Sequence, residues 1–354
     1  MRVRVLITGV TGFAGSHLAE YILAQQPEAM LYGTYRWRSR MDNLDDLAAR
    51  GLLEVIEGTY PEDPSPRDGS RGGRLTLLEC DLTDPLAVER LIATTRPERV
   101  FHLAAQSFVH SSFFEPAATL HTNVFAELYL LEALRKAGDG PRILVAGSSE
   151  EYGLVSPEEL PMKGTTPLRP LSPYAVSKVA QDRLGWQYHR SYGMHVVITR
   201  AFNHTGPRRG AVFATSSFAR QIAEAERGVR PPVVRVGDLR PKRDWHDVRD
   251  TARAYWLALE RGESGEAYNV GSGQARPVRE VLQVLLGLSR ASVTVEDDPA
   301  RRRPSDVPIL CADVEKFRGQ TGWKATIPLE RTLEDLLDHW RARVGRDSNE
   351  RKDA

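Results

Sequence analysis

Tyr174 and Lys178 stand four positions apart in "SPYAVSKVAQ", so on a helix their side chains share one face. A free phenol, with a pKa of about 10, is a poor base at neutral pH. An ammonium beside it stabilises the phenolate, and the pair then accepts and returns a proton. The same spacing also arises from plain helix amphipathicity, so the pair alone decides nothing. Ser172 has the side chain of an N-cap and Pro173 suits the first helical position, which places the helix start just before Tyr174. Upstream, "GSSEEYG" ends a strand-like run. There Ser148 offers a hydroxyl to a substrate oxygen, and Glu150 offers a carboxylate that could remove a proton. If the strand continues, Glu151 projects to the opposite side.

A second cluster lies at the N-terminus. "ITGVTGFAGSHLAE" puts Gly9, Gly12 and Gly15 directly after a β-branched run and at the opening of a helix. Glycines alone are weak evidence, but a strand-turn-helix context makes them a dinucleotide-binding turn, with the pyrophosphate at the helix N-terminus. Thr11, Phe13 and Ala14 complete the turn. The second strand usually ends in an acid when the cofactor is NAD; here "YGTYRWRSR" supplies Arg36, Arg38 and Arg40 instead. Arg36 suits the 2′-phosphate of NADP, so NADP is the expected cofactor. Asp81 and Leu82 in "CDLTD" would flank the adenine. Leu103, Ala104, Ala105 and Ser107 in "HLAAQS" are small enough to let a cofactor approach.

The elements that must hold these groups alternate. Strand-like "VRVLITG", "MLYGTYR", "RLTLLECDL", "RVFHLAA", "RILVAGSS" and "HVVITRAFN" are separated by helical stretches, which predicts an α/β fold with a Rossmann-like, doubly wound parallel sheet. The strands are continuous apolar runs, as sheets buried on both faces require. Residues 58–73 form a Pro/Gly/charge-rich loop, and beyond about 205 the alternation loosens into a smaller region. The last residues, "GRDSNERKDA", are expected to be a disordered tail.

Composition narrows the class. With 354 residues, a formal net charge of +1 and 41% hydrophobic residues, the chain is long enough for one large or two fused domains. It has no overall charge that favours nucleic acid or an anionic membrane. No apolar run approaches the roughly 20 residues of a membrane span. Cys80 and Cys311 are the only cysteines. They provide neither a disulfide framework nor a metal site, and a reducing cytoplasm is the consistent location.

Together these motifs resemble the extended short-chain dehydrogenase/reductases that modify nucleotide sugars, and within them the GDP-mannose 4,6-dehydratases. The likeness covers nearly the whole chain. "GVTGFAG", "YRWRSRMDNL", "CDLTD", "HLAAQSFVH", "SSEEYG", "SPYAVSKVAQ", "FNHTGPRRG", "KRDWHDVRD", "YNVGSG" and "RPSDV" follow that family's order and spacing. The resemblance implies catalytic roles for Ser148, Glu150, Tyr174 and Lys178, and cofactor contacts for His204 and Arg209. It implies GDP-sugar contacts for Ser107, Ser149, Asn203, Arg243, Arg303 and Asp306. It also implies an NADP-binding domain over 1–204 and a sugar-binding region over 205–345. Segments of about 235–272 return to the first domain, and 346–354 form the tail. A homodimer or homotetramer is expected, with the helix "AELYLLEALRKAG" as one interface.

The chain departs from that pattern in places. Ser148 stands where the dehydratases commonly have Thr, and "FATSSF" stands where they have an arginine-bearing element. "GSSEEYG", "FATSSFARQ" and the C-terminal "RPSDVP…TGWKATIPLE" also resemble the sister enzymes that reduce GDP-4-keto-6-deoxy-mannose at C4. Dehydration requires a carboxylate near the sugar and simple reduction does not, which makes Glu150 the residue to examine.

Overall fold

The computed structural model describes residues 2–57, 73–302 and 307–350, the last five of these as backbone only. The loop expected over 58–73 therefore lies almost wholly outside the described residues, as do Arg303 and Asp306.

The apolar runs become strands of one eight-stranded parallel sheet. In chain order the strands are β1 (Arg4–Thr8), β2 (Met30–Tyr35), β3 (Leu53–Ile56), β4 (Leu75–Glu79), β5 (Arg99–His102), β6 (Arg142–Ser148) and β7 (His195–Ala201), and a later strand at Ala267–Val270 closes one edge. The spatial order is β3-β4-β2-β1-β5-β6-β7 followed by that later strand. All six strands read from the sequence are present. The two edge strands were missed because β3 is short and Ala267–Val270 lies outside the regular alternation.

Helices α1 (Phe13–Gln25), α2 (Asp45–Ala49), α3 (Pro85–Thr95), α4 (Val109–Phe114), α5 (Pro116–Leu120), α6 (Ala126–Ala137) and α7 (Pro173–Tyr192) cross over between strands. Two cores result, one on each face of the sheet. Val5 and Ile7 belong to the first and Leu6 to the second, as the alternation of side chains along a strand demands. The chain turns from one side of β1 to the other between β4 and β5. This is the topological switch point, beside which open α/β sheets bind ligands.

Beyond β7 a smaller unit forms from β8 (Asn203–Thr205), α8 (Ala214–Glu226), β9 (Val233–Val236) and β10 (Lys242–Asp247). Helix α9 (Val248–Arg261) and β11 (Ala267–Val270) then return to the main sheet, where α9 joins the first core through Tyr255 and Leu259. The remaining elements are β12 (Ala275–Pro277), α10 (Val278–Gly287), β13 (Thr294–Asp297), β14 (Ile309–Leu310), α11 (Glu315–Thr321) and α12 (Leu329–Glu350). A third core, including Phe218, Leu282, Leu336 and Trp340, binds α8, α10 and α12 together. Helix α12 runs to Glu350, so the first part of the expected tail is helical. Few residues there oppose a helix, and α12 is anchored upstream by Leu333, Leu336 and Leu337.

Candidate active site

The glycine turn is shaped by side chains it lacks. Gly9 has φ +72°, and a Cβ there would lie 2.8 Å from the Ala104 backbone. At Gly15 a Cβ would meet the Gly9 carbonyl at 2.4 Å. The turn is thus pressed against the end of β5, and α1 against the turn. Gly12 caps α1 without a side-chain hydrogen bond, which leaves the first helical amides open to an anion. Asn43, which the sequence reading missed, holds the Thr11 carbonyl from the side at 2.9 Å.

At the carboxyl ends of the strands this turn forms one wall of a cleft of about 750 Å³. Gly9, Thr11, Gly12, Phe13, Ala14 and Gly15 line it, with Arg36, Asp81 and Leu82 farther along and Leu103, Ala104, Ala105 and Ser107 from the end of β5. Ser148, Ser149, Glu150, Tyr174 and Lys178 face the same space, as do Asn203, His204 and Arg209. Among the described residues, the structure therefore gathers around one cleft every expected site residue except Arg243. Arg243 is buried on β10, where it donates to the Lys242 carbonyl at 2.9 Å, and it is not among the lining residues. Its strand is the centre of the small sheet, paired on both sides.

Ser172 caps α7 as expected, its hydroxyl accepting the Ala175 N–H at 3.1 Å. Tyr174 and Lys178 are both buried on the first turns of that helix. Lys178 donates to the Ala146 carbonyl at 2.8 Å, which ties the helix to β6. Burial, and then the charges of Glu150 and Glu151, push the Tyr174 phenol up to about 12, while Ser148 and Arg209 pull against them. The protein alone thus stores a phenol that ionises only with help from further positive charge. Burial also brings the Lys178 ammonium down to about 8.

β6 ends at Ser148 and the chain tightens into a single 3₁₀ turn, Ser149–Glu151. Glu151 does project away from the cleft, but not because a strand continues. It folds back to accept the Ser148 N–H at 2.6 Å and pairs with the buried Arg200 at 3.2 Å. Arg200 also binds Asp182 at 2.9 Å. Glu150 remains half-buried at the cleft wall.

Four side chains from two distant segments stack along the cleft wall. The Phe13 and His204 rings lie parallel, 5.7 Å between centroids. The Arg209 guanidinium sits 4.9 Å from the Phe13 ring and 3.7 Å from that of Phe213. Burial holds Arg209 down at about 10 and His204 well below its usual value. Phe213 and Tyr255 were missed by the sequence reading, because no local motif marks an aromatic that reaches a site from another element. The Asn203 amide oxygen is buried without a hydrogen-bond partner, which fits a group waiting for a polar ligand.

A Rossmann-like sheet, a glycine turn and Ser, Tyr and Lys at one cleft are the arrangement of an extended short-chain dehydrogenase/reductase. More narrowly, the family model for GDP-mannose 4,6-dehydratase matches residues 6–336, and the chain belongs to that family. It is 33% identical over 345 residues to a GDP-6-deoxy-D-mannose reductase of Pseudomonas aeruginosa, covering 97% of this chain and 99% of the relative. A GDP-mannose 4,6-dehydratase of Vibrio cholerae is 31% identical over 362 residues, with 94% of this chain and 92% of the relative covered. Among solved structures, RMD from Pseudomonas aeruginosa complexed with NADPH superposes with a TM-score of 0.76 at 30% identity, over 96% of this chain and all of that one.

Proposed function

We propose that the protein is an NADP-dependent lyase that converts GDP-D-mannose to GDP-4-keto-6-deoxy-D-mannose. One observation supports this reading: dehydration needs a carboxylate beside the sugar, and this cleft holds one, although reductase-like segments share it. The Glu150 carboxylate stands at the same cleft wall as Ser148 and Tyr174, close enough to raise the phenol's pKa.

The residues present fit the cofactor. The open amides of α1 and the Gly9–Gly15 cradle suit a pyrophosphate. Arg36, exposed at the end of β2 where an acid would favour NAD, suits a 2′-phosphate. Asp81 and Leu82 would border the adenine, and His204 and Arg209 would close over the dinucleotide. When bound, the nicotinamide supplies a reversible hydride acceptor and adds positive charge beside Tyr174.

Tyr174, as phenolate, takes the O4 proton while Ser148 hydrogen-bonds that oxygen. Lys178 and Arg209 oppose the negative charge on the phenol. Oxidation at C4 acidifies the C5–H, and Glu150 removes that proton. The proton held by Tyr174 leaves with the C6 hydroxyl as water. Glu150 returns its proton to C5 as C6 receives the hydride that left C4, so both groups end as they began and the net loss is one water. Asn203 and Ser149 would hold the sugar diphosphate, with Arg243, Arg303 and Asp306 as the expected contacts farther out.

A second reading is simple reduction of a 4-keto sugar, with Tyr174 as proton donor. The 33% identical reductase favours it. Purified protein incubated with GDP-mannose and no added reductant separates the two. A 4-keto product supports the lyase. Turnover of GDP-4-keto-6-deoxy-mannose with NADPH, and none of GDP-mannose, would establish the reductase.

The protein would act as a homodimer or homotetramer. Phe125, Val176 and Trp186 are each more than two-fifths exposed on and around α6 and α7, and an apolar face of that kind suits a second copy. No helix among the described residues is long and apolar enough to cross a membrane. Cys80 and Cys311 are both free thiols, and a cytoplasmic location would keep them so.

A further inference from the structure

Two adjacent arginines follow β8, and the scheme above uses only the second. Arg209 faces the cleft, whereas Arg208 is not among the residues that line it. Arg208 is also a conformational outlier, with φ +70°. Among the described residues only one other non-glycine, Arg96, has a positive φ. It sits at the C-cap of α3, where that conformation is common. The Arg209 N–H donates to the Gly206 carbonyl at 3.2 Å, which closes a four-residue turn with Pro207 second and Arg208 third. Proline holds its own φ at about −65°, so a positive φ in third place makes this a type II turn, whose third residue is ordinarily glycine. An arginine persists there only where its surroundings impose the conformation.

The surroundings are one face of α1. Phe13, Ser16, His17 and Glu20 follow one another along it at helical spacing, and each meets the segment after β8. The Arg208 guanidinium donates to the Glu20 carboxylate at 2.6 Å, to Asp46 of α2 at 3.1 Å and to the Ser16 hydroxyl at 3.4 Å. Its side chain is only 11% exposed. His17 Nε2 donates to the Pro207 carbonyl at 3.0 Å. Burial, and then the Arg208 charge, bring His17 down to about 4, so the histidine is neutral and the ionic part of the hold falls to Arg208. Phe13, at the start of the same face, lies against the Arg209 guanidinium. From the other side the Ser216 hydroxyl donates to the Arg209 carbonyl at 2.6 Å.

We propose that Arg208 is a positioning residue for the cofactor. Its clamp on Glu20, Asp46 and Ser16 locks the Gly206–Arg209 turn against α1, and so sets the Arg209 guanidinium at the cleft wall before the dinucleotide arrives. A group fixed in advance loses little freedom on binding, which is how preorganisation raises affinity. The effect on NADP rests on the place given to Arg209 above. The clamp on the turn does not.

Two measurements on the purified protein, made well below its melting temperature, test this. Fluorescence titration gives the Kd for NADPH, and amide hydrogen exchange with mass spectrometry reads the peptide spanning 205–213. Arg208→Ala should raise the Kd about tenfold, the scale of one lost hydrogen bond to a charged group, and should speed exchange across the turn. Arg208→Gly loses the clamp but accepts the positive φ, so its loss should be smaller. Arg208→Lys, which keeps a cation for Glu20, should bind best of the three. Adding Arg208→Ala to Arg209→Ala should raise the Kd no further, because Arg208 acts only through Arg209. A second full loss in that double variant would overturn the proposal. So would a lowered melting temperature in Arg208→Ala with Kd and exchange unchanged, the mark of a contact that only stabilises. Should Arg208→Ala not fold, Glu20→Gln weakens the clamp from α1 and carries the same expected direction. If Arg209→Ala binds NADPH like the wild type, the place given to Arg209 fails, while exchange across the turn still decides the clamp.

Discussion

Two turns at the carboxyl edge of the sheet do opposite things with the same position. The turn after β1 works by omission: its glycines let the backbone of Ala104, the Gly9 carbonyl and the opening of α1 come together. The turn after β6 works by charge. It holds two adjacent glutamates, one facing the cleft and one locked beneath it by Ser148 and Arg200. A turn that binds a large invariant group needs backbone and space, whereas one that moves protons needs side chains held in different environments. Glu150 and Glu151 show how far one residue of separation can divide two such environments.

The largest expected effect breaks the second turn's chemistry alone. Glu150→Gln should lower dehydration of GDP-mannose by about 10²- to 10⁴-fold, the usual contribution of a general base. Because Glu150 sits at the cleft wall and not in the core, the melting temperature should stay near that of the wild type. Activity retained in Glu150→Gln would remove the distinction between the two glutamates.

Glu151→Ala should do the reverse. Removing the buried carboxyl beside Arg200, which strips that guanidinium of one partner and empties its site, should cost about 3 kcal/mol of stability, readable in a denaturant titration. Its pH dependence sharpens the point. Burial, and then the Asp182 charge, raise the Glu151 carboxyl from 4.5 to about 8. The folded protein therefore holds a proton that the unfolded chain releases, so this group's contribution to stability falls as pH rises from 4.5 to about 8. Glu151→Gln should flatten that fall relative to the wild type, and parallel curves would contradict it.

The smallest effect tests the first turn. Gly15→Ala places a methyl 2.4 Å from the Gly9 carbonyl and 2.8 Å from Val10 Cα, which should destabilise the fold by about 1–3 kcal/mol. Dinucleotide affinity, measured by fluorescence titration with NADPH, should fall with it. A variant that melts lower but binds NADPH unchanged would show that the turn serves packing only.

The sequence by itself determined whatever obeys short-range rules. The glycine turn follows from three glycines between a strand and a helix, the start of α7 from Ser172 and Pro173, and the shared face of Tyr174 and Lys178 from one helical turn. Six strands were legible because parallel strands buried on both faces are apolar throughout. Only the tertiary structure decided what depends on burial and on charges from distant segments. It folds Glu151 under Ser148, stacks Phe13 on His204 and Arg209, and carries Tyr255 to the cleft from α9. It also left Arg243 away from the cleft wall, since a motif gives a residue's type but not the direction in which its strand presents it. Whether a carboxyl is a solvated base or a structural strut is set by how much water it keeps and which cation it meets. Neither can be read from its neighbours in the chain.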